Sequence, residues 1–167
     1  MPGWQKREDG AQQGPCDVTD QLEGDGAMTE ATGERRAGGC LCGAVRYETS
    51  WPPLLTGVCH CRHCQKQAGT AFSVLVAVPF ATLERTGELT VYEDGSESGN
   101  PVMRKFCGTC GSPVFSETPS GMAQGMIFIK AGTLDNPDEL EPTVHFWTNS
   151  KQNWVTLPQG ATLLEKQ

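Results

Sequence analysis

The chain has no hydrophobic run long enough to cross a lipid bilayer. Its longest aliphatic run extends only from Val74 to Val78, whereas a membrane-spanning helix needs about 20 apolar residues. The first thirty residues also lack the apolar stretch of a secretory signal. We therefore expect a protein that does not bind membranes and resides in the cytoplasm, where thiols stay reduced.

Basic residues are also few. Thirteen Lys and Arg against 20 Asp and Glu give the 167-residue chain a formal net charge of −7. A net negative charge repels the phosphate backbone of nucleic acids, and the domain has no long basic tract to offset it. The composition therefore argues against nucleic acid as a partner.

Apolar residues make up only 37% of the chain, which is low for a fully packed domain. Residues 1–37 are acidic and glycine-rich, with Val18 and Leu22 as their only large aliphatic residues. Such a segment cannot bury enough apolar area to offset the entropy lost on ordering. We predict a disordered tail over residues 1–37, a folded domain over 38–157 and a loose C-terminal end over 158–167.

The predicted folded domain consists mainly of short strands. Arg62–Ala68 is the one predicted helix, because it has good helix formers and no β-branched residue, and Gly69 is expected to end it. Elsewhere, segments rich in β-branched and aromatic residues alternate with turn-forming residues. The predicted strands are Ala44–Tyr47, Phe72–Val78, Leu89–Tyr92, Val102–Phe106, Met126–Ile129 and Val144–Trp147. This pattern predicts a mostly-β fold with little helix.

Seven of the eight cysteines fall into three groups, which in a cytoplasmic protein favours metal binding or catalysis over disulfides. The eighth, Cys16, has no second cysteine nearby, and we interpret it as an incidental exposed thiol. The three groups are Cys40-Leu-Cys42, Cys59-His-Cys61-Arg-His-Cys64 and Cys107-Gly-Thr-Cys110.

The last group has the form of a zinc knuckle, because Gly111 follows Cys107 and Cys110 and allows a tight turn. A structural zinc needs four ligands, and Cys40 and Cys42 are the natural second pair, since alternate residues of an extended segment share a face. We call these four residues the four-cysteine cluster. A thioredoxin-like redox motif is disfavoured because strand-like residues, rather than a helix, follow the second cysteine.

Cys59, Cys61 and Cys64, which we call the three-cysteine cluster, can surround a second ion. Three protein ligands with an open fourth position are typical of a catalytic zinc, which can activate a thiol or polarise a carbonyl group. The alternative is a second structural zinc completed by a histidine. His60 alternates with two of the cysteines and is expected to point away, whereas His63 precedes Cys64 directly and stays a candidate ligand.

Bound thiolates would make the loaded domain still more acidic, so an anionic substrate would need basic groups nearby. Arg62 and Lys66 lie beside the three-cysteine cluster in the sequence, and Lys151 lies in a late polar loop. For each of them, an ordinary surface charge is the equal alternative.

Taken together, these motifs resemble the glutathione-dependent formaldehyde-activating enzyme family, which also contains centromere protein V. The resemblance rests on Gly38–Tyr47, Cys59–Gln65 and Phe106–Pro113, and it continues through Ala131–Asp135, Pro142–His145, Ser150, Lys151 and Trp154. His145 and Trp154 match the family motif, and we expect them to be a satisfied buried histidine and a core aromatic.

The resemblance implies a β-tent fold of short antiparallel strands with two zinc ions per chain. It places a structural zinc on Cys40, Cys42, Cys107 and Cys110, and a catalytic zinc on Cys59, Cys61 and Cys64. It also implies a carbon–sulfur lyase whose substrates are a small thiol such as glutathione and a small aldehyde. The family reaction joins glutathione and formaldehyde as S-hydroxymethylglutathione.

Two other functions stay open at this point. One is a non-catalytic module with two structural zinc sites that binds another macromolecule, as the centromere relative suggests. The other is a secreted domain held by disulfides, which the missing export signal and the isolated Cys16 disfavour.

Overall fold

The computed structural model describes residues 33–166. Most of the predicted tail, including Cys16, lies outside the described residues. Strands dominate the described part and form two sheets, one of three strands and one of eight, which confirms the predicted mostly-β fold class. No helix among the described residues has the length and apolar character that crossing a bilayer requires.

The small sheet is antiparallel and includes residues 35–37, which the composition assigns to the predicted tail. Its strands, in spatial order, are β1 (Arg35–Gly39), β2 (Arg46–Ser50) and β5 (Glu84–Thr86). Arg35 donates hydrogen bonds to Glu48 (3.4 Å) and Glu84 (2.9 Å) on the two neighbouring strands. The strand therefore begins three residues before the predicted boundary at residue 38, because backbone pairing and ion pairs, rather than apolar burial, hold its first residues.

The large sheet is antiparallel except around one strand. Its spatial order is β11 (Thr162–Leu164), β10 (Val144–Phe146), β3 (Leu55–Cys59), β4 (Ser73–Pro79), β9 (Met126–Lys130), β8 (Pro113–Glu117), β7 (Val102–Cys107) and β6 (Leu89–Asp94). Strand β10 runs parallel to both β3 and β11.

Strand β11 lies within residues 158–167, which the sequence predicts to be a loose end. The Thr162 N–H donates to the carbonyl of Thr143 (2.8 Å), and three residues pair with β10. All three side chains of β11 are exposed. Hydrogen bonds to its backbone, one of them from Thr148 Oγ1 to the carbonyl of Leu164 (3.3 Å), hold this strand, and they leave no hydrophobic pattern in the sequence.

Helix α1 (Arg62–Ala68) has the predicted bounds. At its start, Cys61 is the N-cap and its sulfur accepts a hydrogen bond from the N–H of Cys64. At its end, Gly69 adopts the left-handed conformation with φ of 65°, which glycine reaches without steric cost. A second short helix, α2 (Pro119–Ala123), forms where the sequence predicts only a turn.

The two faces of the large sheet have different surroundings. One face packs toward the small sheet, where the rings of Tyr47 and Phe115 meet edge to face with centroids 5.2 Å apart. The core residues that the large sheet contributes to this face include Val76, Val78, Phe115, Ile127 and Ile129, all of which are buried. The alternate residues of the same strands point to the opposite face, and this second face carries the candidate site.

Candidate functional site

The four-cysteine cluster lies where the loop after β1 meets the turn after β7. Its four sulfur atoms all lie within 4.8 Å of one another. The sulfur of Cys42 is 3.5 Å from that of Cys40 and 3.8 Å from that of Cys107. Gly111 has φ of 75° and donates its N–H to the carbonyl of Cys107 (2.8 Å), which closes the tight turn that the knuckle motif predicts.

Hydrogen bonds at this cluster favour the thiolate form, which binds metals, at Cys40 and Cys110. At Cys42 the backbone N–H of Ala44 lowers the pKa, but contacts with the other sulfurs outweigh it and raise the pKa to about 12. Cys110 Sγ and Ser112 Oγ lie 3.2 Å apart, and this contact lowers the pKa of Cys110 to about 5. Burial raises the pKa of Cys40, but the N–H of Val45, which donates to its sulfur (3.2 Å), and the contacts with Cys42 and Cys107 together lower it below its ordinary value. The cluster therefore has the chemistry of a closed tetrahedral zinc site.

The three-cysteine cluster forms at the junction of β3 and α1. Cys59 is the last residue of the strand, Cys61 caps the helix and Cys64 lies in its first turn. Their sulfur atoms lie within 4.8 Å of one another, and all three residues are buried. Among the described residues, this group of candidate ligands contains no histidine.

Both neighbouring histidines have other partners. His60 is fully buried, and its Nε2 lies 3.0 Å from Nδ1 of His145, which confirms that it points away from the cysteines. The Nδ1 of His63 lies 2.6 Å from Oδ1 of Asp94. His145 is a buried histidine with a hydrogen-bonding partner, as expected. The three sulfurs therefore have no imidazole as a fourth ligand in this structure.

Two buried basic residues, which the sequence analysis missed, lie near the three-cysteine cluster. Arg104 on β7 places Nη1 3.7 Å from the sulfur of Cys64, and Lys130 on β9 places Nζ 3.0 Å from Ser73 Oγ. Burial lowers the pKa of Lys130 to about 8. The only signal in the sequence was the position of each basic residue in an apolar strand pattern: Arg104 lies within one and Lys130 at the end of another. This signal does not specify to which face of the sheet the side chain points.

The pKa of Cys64 is lowered, whereas the pKa values of Cys59 and Cys61 are raised. Hydrogen bonds from Cys59 and Cys61, with the positive charges of Lys130 and Arg104, lower the pKa of Cys64 to about 2. Hydrogen bonds with Cys61 and Cys64, together with burial, raise the pKa of Cys59. Two buried cations thus compensate part of the charge that thiolate ligands bring to the site.

The basic candidates from the sequence do not line the cavity at the cluster. Arg62 is exposed and donates to Gln65 Oε1 (3.0 Å), and Lys66 is exposed as well. Lys151 is half-buried in the loop after β10. Sequence proximity to the cysteines was therefore a poor guide to the charged groups of the site.

Trp154 is 72% exposed, so the expectation of a core aromatic is wrong. Its indole N–H donates to Gln152 Oε1 (2.7 Å). The adjacent Val155 is buried instead. Adjacent residues of an irregular loop point in different directions, and the sequence does not show which of the two faces the interior.

A cavity of about 560 Å³ opens onto all three sulfur-bearing residues of the three-cysteine cluster. Its floor includes one residue from each of five neighbouring strands, which the sheet register places side by side. We call this set the cavity row: Leu55, Ala77, Phe128, Ser116 and Arg104. The cavity does not reach the four-cysteine cluster, so the two clusters have different access to small molecules.

Ser116, in the middle of the cavity row, has an unusual environment. It is 3% exposed, and its Oγ has no hydrogen-bond partner among the described residues. A buried hydroxyl without a partner costs free energy. Such a group in a cavity wall is therefore available to a ligand.

The observation that decides the family comes from comparison with known proteins. Residues 35–150 match the glutathione-dependent formaldehyde-activating enzyme family. The chain belongs to this family. The match includes both cysteine clusters and most of the cavity wall. Membership in this enzyme family supports enzymatic activity in general.

One solved structure is also similar. It is the crystal structure of a Rhodobacter sphaeroides protein with 21% sequence identity. The similarity covers 64% of this chain and 91% of that chain, with a TM-score of 0.47.

Proposed function

We propose that the chain is a zinc-dependent carbon–sulfur lyase that interconverts the S-hydroxymethyl adduct of a small thiol with the free thiol and formaldehyde. The observation that carries this proposal is the position of the three-cysteine cluster. It opens onto a cavity, and the described residues supply no fourth ligand. Glutathione, the thiol in the family name, is the first thiol to test.

The donor sets fit two zinc ions. Four cysteines suit a closed structural site, and three cysteines suit a catalytic site that keeps one position for a ligand. Zinc in the second site would supply a Lewis acid and stabilise a thiolate. The seven cysteines of the described part are all free thiols, which suits a reducing compartment such as the cytoplasm.

The reaction needs no oxidant or reductant. In the lyase direction, the carbon–sulfur bond breaks and its electron pair goes to sulfur. The hydroxyl oxygen loses its proton as the carbonyl bond of formaldehyde forms, and the thiol gains a proton. Negative charge therefore develops on sulfur in the cavity, which is the place where a protein must stabilise it.

The residues of the chain contribute charge and shape to this step. Arg104 holds a permanent positive charge at 3.7 Å from Cys64, and Lys130 adds a second buried amine nearby. Both basic side chains are buried, and the low-dielectric interior strengthens their electrostatic interactions. A site with these features is less consistent with the alternative in which both zinc ions are structural.

The test uses the full chain loaded with zinc, with its metal content measured by mass spectrometry. Formaldehyde exchange into the glutathione adduct is followed by NMR with ¹³C-labelled formaldehyde and compared with the spontaneous rate. We expect acceleration by the wild type and loss of acceleration in Cys61→Ser, with one zinc ion retained. A fully loaded wild type that accelerates the exchange of no thiol adduct would exclude the proposed lyase.

A further inference from the structure

We propose that the thiol half of the substrate is an uncharged, largely apolar group, such as an arylmethyl thiol, rather than a peptide thiol with free carboxylates. This inference rests on the proposed function for its chemistry. The paired charges of the cavity, its apolar strip and a buried hydroxyl that lacks a partner in the described part of the chain support this substrate class.

The described side chains of the cavity offer no free positive charge to a carboxylate. Among residues 33–166, Arg104 is the only basic side chain that lines it. Two nitrogens of this guanidinium, Nε and Nη2, donate to Oδ2 of Asp94 at 3.0 and 2.8 Å, and Nη1 faces the sulfur of Cys64. Glu97 adds a negative charge to the wall. A substrate carboxylate would lose its hydration without gaining an ionic partner, which is unfavourable.

The wall of the cavity is apolar on the side away from this ion pair. Leu55, Ala77 and Phe128 of the cavity row form a continuous strip because the register of β3, β4 and β9 places them side by side. Leu75 and Phe146 extend this strip at the cysteine end. Burial of a hydrocarbon substituent there is favourable by about 25 cal/mol per Å².

One buried polar group of the wall lacks a partner within residues 33–166 and can contact a neutral substrate. The hydroxyl of Ser116 lies between Phe128 and Arg104 in the cavity row and has no partner among the described residues. A single hydroxyl suits a single hydrogen-bonding oxygen, such as that of a hydroxymethyl group. The sheet wall of the cavity therefore matches a neutral apolar body with a hydrogen-bonding oxygen, and other polar side chains of the lining, such as Asn100 and Gln124, are neutral.

The test compares two thiols that differ by one carboxylate: benzyl mercaptan and 4-(mercaptomethyl)benzoate. Their S-hydroxymethyl adducts, and that of glutathione, are given to the zinc-loaded full chain, and kcat/KM for formaldehyde release is measured. We expect kcat/KM for the benzyl adduct to exceed both others by at least about tenfold. Equal or faster cleavage of either charged adduct would overturn the inference and leave the lyase function standing.

A pair of variants tests whether the cavity wall sets this preference. Leu54 lines the cavity and is 55% exposed, so Leu54→Lys places a cation there at little structural cost. We expect this variant to reduce the preference for the neutral adduct several-fold. Val91 is 51% exposed on β6 and does not line the cavity, and Val91→Lys, with the same change in charge, should keep the wild-type preference. An identical effect of both variants would contradict the assignment.

A binding measurement separates this inference from the lyase function. Calorimetry with the zinc-loaded chain compares two unreactive thioethers, benzyl methyl sulfide and S-methylglutathione. Binding of the benzyl compound alone supports the inference even if no adduct is cleaved, in which case only the proposed function fails. Tighter binding of S-methylglutathione, or binding of neither compound, overturns the inference.

Discussion

At the scale of single residues, Asp94 connects three parts of the site. Its carboxylate accepts hydrogen bonds from Arg104 at 3.0 and 2.8 Å, from the N–H of Ser96 at 3.1 Å, and contacts His63 Nδ1 at 2.6 Å. Burial alone would raise the pKa of Asp94, but these hydrogen bonds hold it below its ordinary value. Asp94 therefore stays ionised and keeps the guanidinium of Arg104 beside the three-cysteine cluster.

Removal of this charge leaves a buried cation without its partner. We expect Asp94→Asn to lower the free energy of unfolding by about 3 kcal/mol, because Arg104 is 4% exposed and its charge would be uncompensated. Denaturant unfolding of the zinc-loaded protein measures the change. Asp138→Asn, at an exposed position, is the control and should stay within about 0.5 kcal/mol of the wild type. Equal stability of the two variants would show that the ion pair contributes little.

Tyr47 gives a prediction for alkaline pH. Burial raises the pKa of its phenol well above the ordinary value of about 10. The folded state therefore keeps the neutral phenol at a pH where the unfolded chain ionises. The contribution of Tyr47 to stability is complete below pH 10 and falls as the pH rises further, by up to about 1.4 kcal/mol per pH unit.

The Tyr47→Phe variant removes this ionisation and the contact with Thr133 Oγ1 (2.8 Å) while it keeps the ring. We expect it to be less stable than the wild type at pH 8 and to lose less stability between pH 10 and pH 11. Tyr92→Phe, at a side chain that is 62% exposed, should follow the wild-type pH profile because Tyr47 is intact. Parallel profiles for the wild type and Tyr47→Phe would disprove the assignment.

Single residues also show the limit of sequence reasoning for this site. The seven clustered cysteines were predictable because their spacing is local and thiolates suit few other tasks. Arg104, Lys130 and Ser116 were not predictable, because their orientation depends on strand register. A shift of one residue in that register would turn each of them to the other face.

At the scale of elements, helix α1 depends on both of its ends. Cys61 caps the first turn, and Gly69 ends the helix in the left-handed conformation. These are local signals, and the sequence predicts the helix bounds correctly. Strand β1 and helix α2 escaped prediction because they contain few apolar residues, and strand β11 escaped it because its two leucines are exposed and too few to form a periodic pattern.

The C-terminal end of α1 can be tested with a matched pair of glycines. A Cβ at Gly69 meets nothing within 4 Å, so Gly69→Ala changes only the backbone strain of the left-handed conformation. We expect a loss of about 1 kcal/mol in the free energy of unfolding. Gly132→Ala is the control, since its Cβ also meets nothing and its φ is not positive. Equal losses at both positions would mean that strain at Gly69 is not the cause.

At the scale of the whole molecule, the two cysteine clusters have different mechanical roles. The four-cysteine cluster joins the loop between β1 and β2 of the small sheet to the end of β7 in the large sheet. Its ligands lie far apart in the sequence, from Cys42 to Cys107. The three-cysteine cluster joins residues within one short segment, from Cys59 to Cys64. Metal bound in the first cluster closes a long loop and restricts the unfolded chain far more.

We therefore expect loss of each zinc to have a different effect on the fold. Cys110→Ser should lose one zinc and lower the melting temperature strongly, whereas Cys61→Ser should lose one zinc with a smaller decrease. Metal content by mass spectrometry and thermal unfolding by circular dichroism measure both effects. A larger decrease for Cys61→Ser would show that the cavity cluster, rather than the four-cysteine cluster, stabilises the fold.

The alternation of side chains along β7, β8 and β9 has a consequence for how this protein can acquire new specificities. Positions 116 and 128 face the ligand space, while positions 115, 127 and 129 support the interior. Randomisation of the first set alone should give variants that remain foldable yet differ in the molecules they accept. The same changes at the second set should mostly yield insoluble protein. Proteins with this scaffold can therefore diverge in the substrates they accept through substitutions at alternate strand residues, without insertions or new loops.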